Sequence, residues 1–391
     1  MALVSDFPVI TDEALAELRS RIGVEVSGPD PYLTEANRDA IRHWADGIGD
    51  RNPLWRDEAQ AAGSRWGAIV APPTILYAFD RICSGYVGGL PGIHAMFAGT
   101  DFRWRAPVRA GARVTARAHL AELVDRPSEF SVRAIQQIYR VVFSDESGDV
   151  VCEADSWCFR TQRDAARDRA KYEKVEPASY SEDEIAAIAA EYAAEEIRGA
   201  EPRWFEDVAV GDELPTILKG PLTVTSIIAF DQGWGGLYIR AHGLAFDMFD
   251  RHPALAIPNA NSAPEPPERV HWDPDLAARV GVPGAYDYGP ERISWLGHLM
   301  TNWIGDDGFL RRLNAQVRRH NLVGDLTRCS GRVTRTWVEP GARGVPEGSG
   351  ARGVPEESGV GLVECEVEAT NQRGEVTAKG VATAELPRKG T

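Results

Sequence analysis

No run of about eighteen apolar residues occurs anywhere in the chain, so nothing in it reads as a membrane-spanning helix. Cysteine is scarce and unpaired. Cys83, Cys152, Cys158, Cys329 and Cys365 are scattered without any C-x-x-C spacing, which reads as buried thiols in a reducing compartment. Positive charge is in deficit. A net charge of -15 with no dominant basic stripe argues against nucleic acid as a partner, although a few local arginines could still hold a small anion. The opening MALVSDFPVITDEAL carries acidic residues where a signal peptide needs a basic patch and an apolar core, so the expected location is the cytoplasm. No His/Cys/carboxylate spacing suggests a metal, and no cofactor is expected. What is present is the composition of a globular protein, 43% hydrophobic and 26% charged. A chain of 391 residues is ample for two domains with separate cores.

One stretch occurs twice. Gly49–Pro73 reads GDRNPLWRDEAQAAGSRWGAIVAPP, and Val270–Pro290 reads VHWDPDLAARVGVPGAYDYGP. Aligning Trp55 with His271 places Asp57 on Asp273 and Ala61 on Ala277; with one residue of slack, Ala68 meets Ala285 and Pro73 meets Pro290. Each copy leads into an apolar stretch of helical spacing, Thr74–Val87 and Glu291–Ile304. A basic strand-like run follows each, Phe102–Gly111 and Val317–Gly324, and a strand-turn-strand pattern closes each, Asp145–Ala154 and Asn371–Gly380. A domain duplicated at a period of roughly two hundred residues accounts for this order. The expected division is a first domain over 1–165, an acidic helical linker over 166–200, and a second domain over 201–391.

Helices are expected at Thr11–Arg21, with Thr11 as N-cap, at Thr34–Ile48, opened by Thr34 and Glu35, and at Thr223–Gln232. Val114–Val124, Phe130–Phe143 and Val150–Phe159 alternate as strands. A long buried helix followed by long antiparallel strands implies an α+β unit with the sheet wrapped around the helix. Two insertions mark the second half. Residues 235–269, with five prolines and the aromatics Tyr238, Phe246 and Phe249, read as an ordered lid or pocket wall. Residues 341–359 hold the tandem GARGVPEGS/GARGVPEES and read as a mobile loop.

The two copies resemble the motif of the MaoC family, roughly G-D-x-N-P-x-H-x-D-x-x-x-A, followed by a glycine-rich turn into a buried helix. The first copy is similar to the N-terminal dehydratase-like domain of that family, the second to its hydratase domain. The resemblance covers nearly the whole chain and implies a double hot-dog, with two long central helices each wrapped by an antiparallel sheet. It implies a hydratase or dehydratase acting on a 2-enoyl or 3-hydroxyacyl thioester, a CoA ester by expectation, in a homo-oligomer such as a dimer. The motif Asp and His would be the catalytic pair. One moves the proton beside the thioester carbonyl while the other activates water or protonates the leaving hydroxyl. A backbone N–H at a helix N-terminus would steady the enolate oxygen.

Both copies depart from the motif. The first keeps Asp50 and Asn52 but has Trp55 at the histidine position, so Asp50 is expected to cap its turn and this half to supply pocket wall. The second keeps His271, but Gly236 occupies the Asp position. The partner carboxylate must then come from elsewhere: Asp247 is chosen, with Asp250, Asp231 and Asp287 as alternatives. His242 and His252 are read as loop histidines. Gly289 is the candidate oxyanion donor. Arg318, Trp272 and Tyr286 are candidate substrate contacts, with Arg318 a possible holder of a CoA phosphate. A solvated strand face is the preferred reading of Arg103, Arg105, Arg318 and Arg319. The rival to hydration chemistry is a thioesterase-like enzyme, a lyase on an unusual substrate, or a non-catalytic acyl-binding subunit.

Overall fold

The computed structural model describes residues 9–126, 133–161, 175–340 and 359–390. The tandem repeat at 341–358 and the basic start of the linker at 162–174 lie outside them. Helix α1 (Asp12–Arg19) is capped by Thr11, whose hydroxyl accepts the Ala14 N–H. After β1 (Glu25–Val26), helix α2 (Arg38–Gly47) begins at an Asn37 cap rather than at Thr34. The residues before the cap are occupied elsewhere, since Glu35 bridges to Arg113 and the Ala36 N–H is donated to the Ala112 carbonyl. Then come α3 (Glu58–Gly63) and the strands β2 (His94–Trp104), β3 (Thr115–Arg126), β4 (Ala134–Ser144) and β5 (Val150–Thr161).

The linker holds α4 (Glu182–Ala193), opened by a Ser181/Glu184 capping box. It is docked rather than wholly solvated, because Ile188, Tyr180 and Tyr192 pack on Leu218 and Leu326. The second half runs β6 (Glu213–Lys219), α5 (Val224–Trp234), α6 (His242–Arg251), the short hairpin β7 (Ile257–Pro258) and β8 (Pro264–Glu265), α7 (Pro274–Arg279) and α8 (Gly289–Ile304). Strands β9 (Phe309–Val317), β10 (Thr327–Glu339), β11 (Val360–Asn371) and β12 (Val376–Leu386) complete it. The run Val317–Gly324, expected as strand, is loop beyond Val317. The strand is Phe309–Val317, whose alternation puts Phe309, Leu310, Leu313 and Ala315 in the core.

Ten strands form one antiparallel sheet in the order β1-β3-β4-β5-β2-β9-β12-β11-β10-β6. Each strand of the first half has its counterpart at the mirrored place in the second, so the halves are related across the central pair β2–β9. Phe102 faces Leu313 there and Asp101 faces Asn314. Arg312 and Arg103 both grip Asp101, and Arg103 and Arg140 both grip Asp155, stitching the seam on one face.

The architecture is α+β, a double hot-dog. Among the described residues helix α8 is the one long central helix, buried from Pro290 through Ile304. The counterpart Thr74–Val87 departs from expectation. It is a short 3-10 helix, Pro73–Ala78, followed by turns. The Ala78 carbonyl, which a helix would give to residue 82, accepts instead from Tyr32 and Leu33 N–H. Asp80 then captures the Cys83 N–H with its side chain, and Gly85 turns the chain at φ +103. The five cysteines are buried and free. Among the described residues no helix is long and apolar enough to cross a membrane.

The counterpart helices α2 and α5 cross at backbone contact, and the contact is reciprocal. A Cβ on Gly47 would lie 2.9 Å from the Ala229 carbonyl oxygen, and one on Gly233 would lie 2.7 Å from that of His43. Trp44 and Phe230 meet edge to face beside the crossing, 5.6 Å apart. Alanine in place of a helical glycine ordinarily gains up to about 1 kcal/mol. Here Gly233→Ala should lower the melting temperature instead, since the added methyl meets main chain that cannot rotate away. A raised midpoint in a thermal melt would show that the helices do not cross this closely.

Candidate functional site

The two motif turns are built alike. The 3-10 turn Pro53–Trp55 is followed by α3 with Asp57 as cap, and the 3-10 turn Pro267–His271 by α7 with Asp273 as cap. Trp55 and His271 therefore end equivalent turns. What surrounds them differs.

The first turn is closed into the core. Asp50 Oδ1 accepts the Asn52 N–H at 2.9 Å, and Oδ2 accepts the Trp55 indole N–H at 2.8 Å. Trp55 thus bonds Asp50 from the histidine position, but an indole N–H cannot exchange protons as an imidazole does. His298, in the middle of α8, lies with Nε2 3.4 Å from Asp50 and 3.2 Å from Glu195, which follows α4. Lys219, at the end of β6, reaches His298 Nδ1 at 2.7 Å and donates to the Ile48 carbonyl at 2.7 Å. An ammonium only donates, so Nδ1 accepts and the ring proton sits on Nε2, facing the carboxylates. Burial pushes the Lys219 pKa down. Burial alone would raise that of Glu195, but the His298 hydrogen bond, Lys219 and the Asn302 amide hold it at about 2. Asp50 is a capped turn, as expected, and also one corner of a buried polar network that no sequence pattern announced.

Beside this turn, toward the C-terminal end of α8, is a cavity of about 40 Å³ walled by Leu54, Trp55, Trp66, Trp104, Ile304 and Phe309. It has room for an apolar group or a few waters. Its lining holds no titratable side chain.

The second turn lies at the opposite end of α8 and is partly open. His271 packs against Tyr288, ring centres 3.8 Å apart, and its Nδ1 is 2.7 Å from the Tyr286 carbonyl. That contact places the proton on Nδ1 and leaves Nε2 an acceptor. Burial pushes the His271 pKa down to about 3, with His320 and Arg292 adding to the shift, so the ring is neutral. The Tyr288 hydroxyl lies 3.4 Å from Asp231 Oδ2, while Asp231 Oδ1 is buried without a hydrogen-bond partner. Burial, with the Glu268 carboxylate adding to it, raises Asp231 to about 8. Glu268 accepts the N–H groups of Leu237 and Tyr238 at 2.7 and 2.5 Å, and burial raises its pKa too. Behind them, at the start of α8, Asp287 pairs with Arg292 at 2.9 Å; burial raises the pKa of both Asp287 and Glu291, and the Asp287 carboxylate adds to the rise of Glu291.

The first half closes this site. Arg81, from the segment after the 3-10 helix, donates to the Trp234 and Gly236 carbonyls, and Ser84 Oγ accepts the Trp234 indole N–H at 2.9 Å. Tyr86 packs on Tyr238 of the insertion. The insertion is ordered, and α6 lies within it.

Several expected residues move. Asp247 sits on an exposed face of α6, where its backbone carbonyl caps Arg251; nothing ties its carboxylate to His271, because the helix turns that face to solvent. Asp250 is exposed as well. Of the alternatives, Asp231 comes closest through Tyr288. Gly289 is the first residue of α8, and a Cβ there would lie 2.3 Å from the Phe97 ring, so packing alone demands glycine. Tyr286 packs edge to face on His271 and on His320, and burial pushes its pKa to about 12. Trp272, next to His271, is half-buried, and Arg318 is exposed just beyond β9. Arg103 and Arg105 are spent on carboxylates, Asp101 and Asp155 for the first and Glu153 for the second. Glu268 and Tyr288 were missed; the available signal was that Glu268 is the acidic residue nearest before His271. Among the described residues no group of three or more His, Cys, Asp or Glu could hold a metal ion.

The buried network of the first turn has a pH signature. Glu195 falls from 4.5 to about 2 on folding, so its contribution is present above pH 4.5 and lost as pH falls through 2. The shift corresponds to about 3 kcal/mol. Urea unfolding should show Glu195→Gln less stable at neutral pH and losing less than wild type between pH 4.5 and 2; parallel curves would mean that Glu195 is not held by His298 and Lys219.

Comparison with known proteins places these features. Residues 20–154 match the FAS1-like, dehydratase domain region. A UPF0336 protein of Thermobifida fusca (strain YX) is 32% identical over 110 residues, 27% of this chain and 71% of that protein. The 3-oxo-4,17-pregnadiene-20-carboxyl-CoA hydratase alpha subunit of Mycobacterium tuberculosis is 33% identical over 78 residues, 19% of this chain and 23% of that one. Among solved structures, a MaoC-like dehydratase superposes over 95% of this chain and all of its own, with a TM-score of 0.63 at 19% identity. A MaoC-like dehydratase from Phytophthora capsici covers 95% and 98%, with a TM-score of 0.52 at 12% identity. With a UPF0336 relative 32% identical and matched over 71% of its length, and a FAS1-like dehydratase region at residues 20–154, the chain belongs with the UPF0336 proteins, and over nearly its whole length it has the double hot-dog fold of MaoC-like dehydratases.

Proposed function

We propose that the protein adds water to, or removes it from, a 2-enoyl or 3-hydroxyacyl thioester, a CoA ester, at the second turn. The observation that carries this reading is the bridge from His271 through Tyr288 to Asp231, whose ends are pushed in opposite directions, to about 3 and about 8. Two titratable groups driven apart in this way are suited to opposite proton-transfer roles.

In hydration, water adds its oxygen to C3 and gives a proton to His271 Nε2, while Asp231 delivers its own proton to C2. The resulting imidazolium is a strong acid in this environment and returns its proton to the aspartate, which resets the site. Dehydration runs the same steps backwards. The low polarity that shifts both groups also strengthens any hydrogen bond to the developing enolate. The N-terminus of α8, opening at Gly289 directly after Tyr288, is the proposed source of that bond. Trp272 and Tyr286 flank His271 as walls for the acyl group, and Arg318 is exposed where a CoA phosphate could reach it. The CoA thioester is favoured because one relative carries a CoA ester in its name.

Loss of enoyl-thioester absorbance across a panel of enoyl-CoA esters tests this. His271→Ala and Asp231→Asn should each lower kcat by roughly two to four orders of magnitude, with KM little changed. Asp247→Asn should match wild type. Hydration should fail as pH rises through about 8, where Asp231 loses the proton it must give. Indifference to both substitutions would favour a non-catalytic acyl-binding role.

A further inference from the structure

In the first repeat, a carboxylate sits on the motif turn because Asp50 is part of it. Asp50 Oδ1 accepts the N–H of Asn52, two residues on. In the second repeat Gly236 stands at the equivalent position, in left-handed backbone at φ +56, and contributes no side chain. Yet the turn is not without an acceptor. The N–H groups of Leu237 and Tyr238, one and two residues after Gly236, both end on Glu268, at 2.7 and 2.5 Å. Glu268 comes from the far side of the insertion, on the 3-10 turn that ends in His271. It is buried, 5% exposed.

We infer that Glu268 is the transposed carboxylate of this site, a positioning residue that fills the place left by Gly236, fixes the Leu237–Tyr238 turn, and sets the charge facing Asp231. The inference rests on the proposed role of Asp231, but its physical content is separate. The groups around Asp231 are Glu268 and the hydroxyl of Tyr288, with Glu291 beyond at the start of α8. Glu268 in turn faces Arg81 of the first half and Arg240 of the insertion, as well as the two N–H groups. Burial raises the Glu268 pKa, while these donors and cations oppose the rise and favour the carboxylate, and an ionised Glu268 opposes ionisation of Asp231. Glu268 therefore keeps Asp231 supplied with the proton that hydration consumes.

An infrared titration tests the inference without substrate. The carboxylic-acid band of Asp231, assigned by its absence in Asp231→Asn, should disappear near pH 8 in the intact protein. In Glu268→Gln it should disappear at least roughly one pH unit lower, because the opposing charge is gone. Glu268→Asp, which keeps the charge, should stay near wild type and controls for misfolding. An unmoved band in Glu268→Gln would overturn the inference.

A second arm asks whether the place itself matters. A Cβ on Gly236 would lie 2.7 Å from Ile239 Cδ1, the end of a flexible side chain, and aspartate tolerates this backbone region. Gly236→Asp with Ile239→Ala and Glu268→Gln should restore the titration and at least tenfold of the lost kcat, relative to Ile239→Ala with Glu268→Gln alone. No restoration by the aspartate would refute the equivalence of the two positions. If every enoyl-CoA ester is inert with wild type while the Asp231 band moves as expected, the hydratase reading fails and the assignment of Glu268 stands.

Discussion

Two helices can approach to backbone contact only where neither presents a side chain, and the crossing of α2 with α5 depends on that. Gly47 lies on Ala229 and Phe230, and Gly233 lies on His43 and Trp44. Helix α2 leads into the Asp50 turn and α5 into the equivalent turn at Gly236, so the crossing fixes these two turns relative to each other. The β2–β9 seam does the same for the sheet. From these two contacts it follows that each turn is completed by the other half. Asp50 meets His298 and Lys219 of the second repeat, and the turn after α5 meets Arg81 and Ser84 of the first.

The two completed turns then diverge through burial of charge. Around Asp50 every charge has a partner within reach, which is the condition for keeping ions in a core; removing one member of such a network commonly costs 3–5 kcal/mol. Within it His298 Nε2 lies 3.4 Å from Asp50 and 3.2 Å from Glu195 without completing a hydrogen bond, while Trp55 occupies the other Asp50 oxygen. Around Asp231 the balance is left open. One carboxylate oxygen has no partner, and the nearest hydroxyl is at the limit of hydrogen-bond distance. Unsatisfied buried groups are costly in a core that does nothing else, and are common where a ligand completes the bonding.

The repeat, the antiparallel strands, the cap at Thr11, the helix opening at Thr223 and the likeness of the two turns were legible in the sequence, because local hydrogen bonding and apolar periodicity determine them. The irregular first central segment was not. Its apolar spacing suits a helix, and only the capture of the Ala78 carbonyl by Tyr32 and Leu33, far away in sequence, prevents one. His271 was legible as a motif residue, whereas Asp231, the partner proposed for it, was not. Asp247 was chosen because it lies in the insertion, but the insertion folds a helix whose periodicity turns Asp247 to solvent. Asp231 is on a regular helix where nothing in the local pattern distinguishes it. The Asp50–His298–Glu195–Lys219 network draws on four distant segments, and no spacing in one chain encodes such a meeting.

The insertion also has an electrostatic logic. Arg81 is planted on the carbonyls of Trp234 and Gly236, so a buried cation stands at the end of α5 whether or not the turn carries an acid. Burial lowers its pKa to about 10, and Glu268 is among the charges that oppose the fall. A buried guanidinium with only carbonyls for company would be poorly compensated. Glycine at position 236 removes the local source of negative charge, so any chain that fills the gap must bring a carboxylate back. The insertion does so at its last turn, three residues before His271, and this explains why a segment of such proline-rich, irregular sequence ends in a tightly buried glutamate. The same placement brings carboxylate, aspartic acid and imidazole to one end of α8, where the first half closes over them.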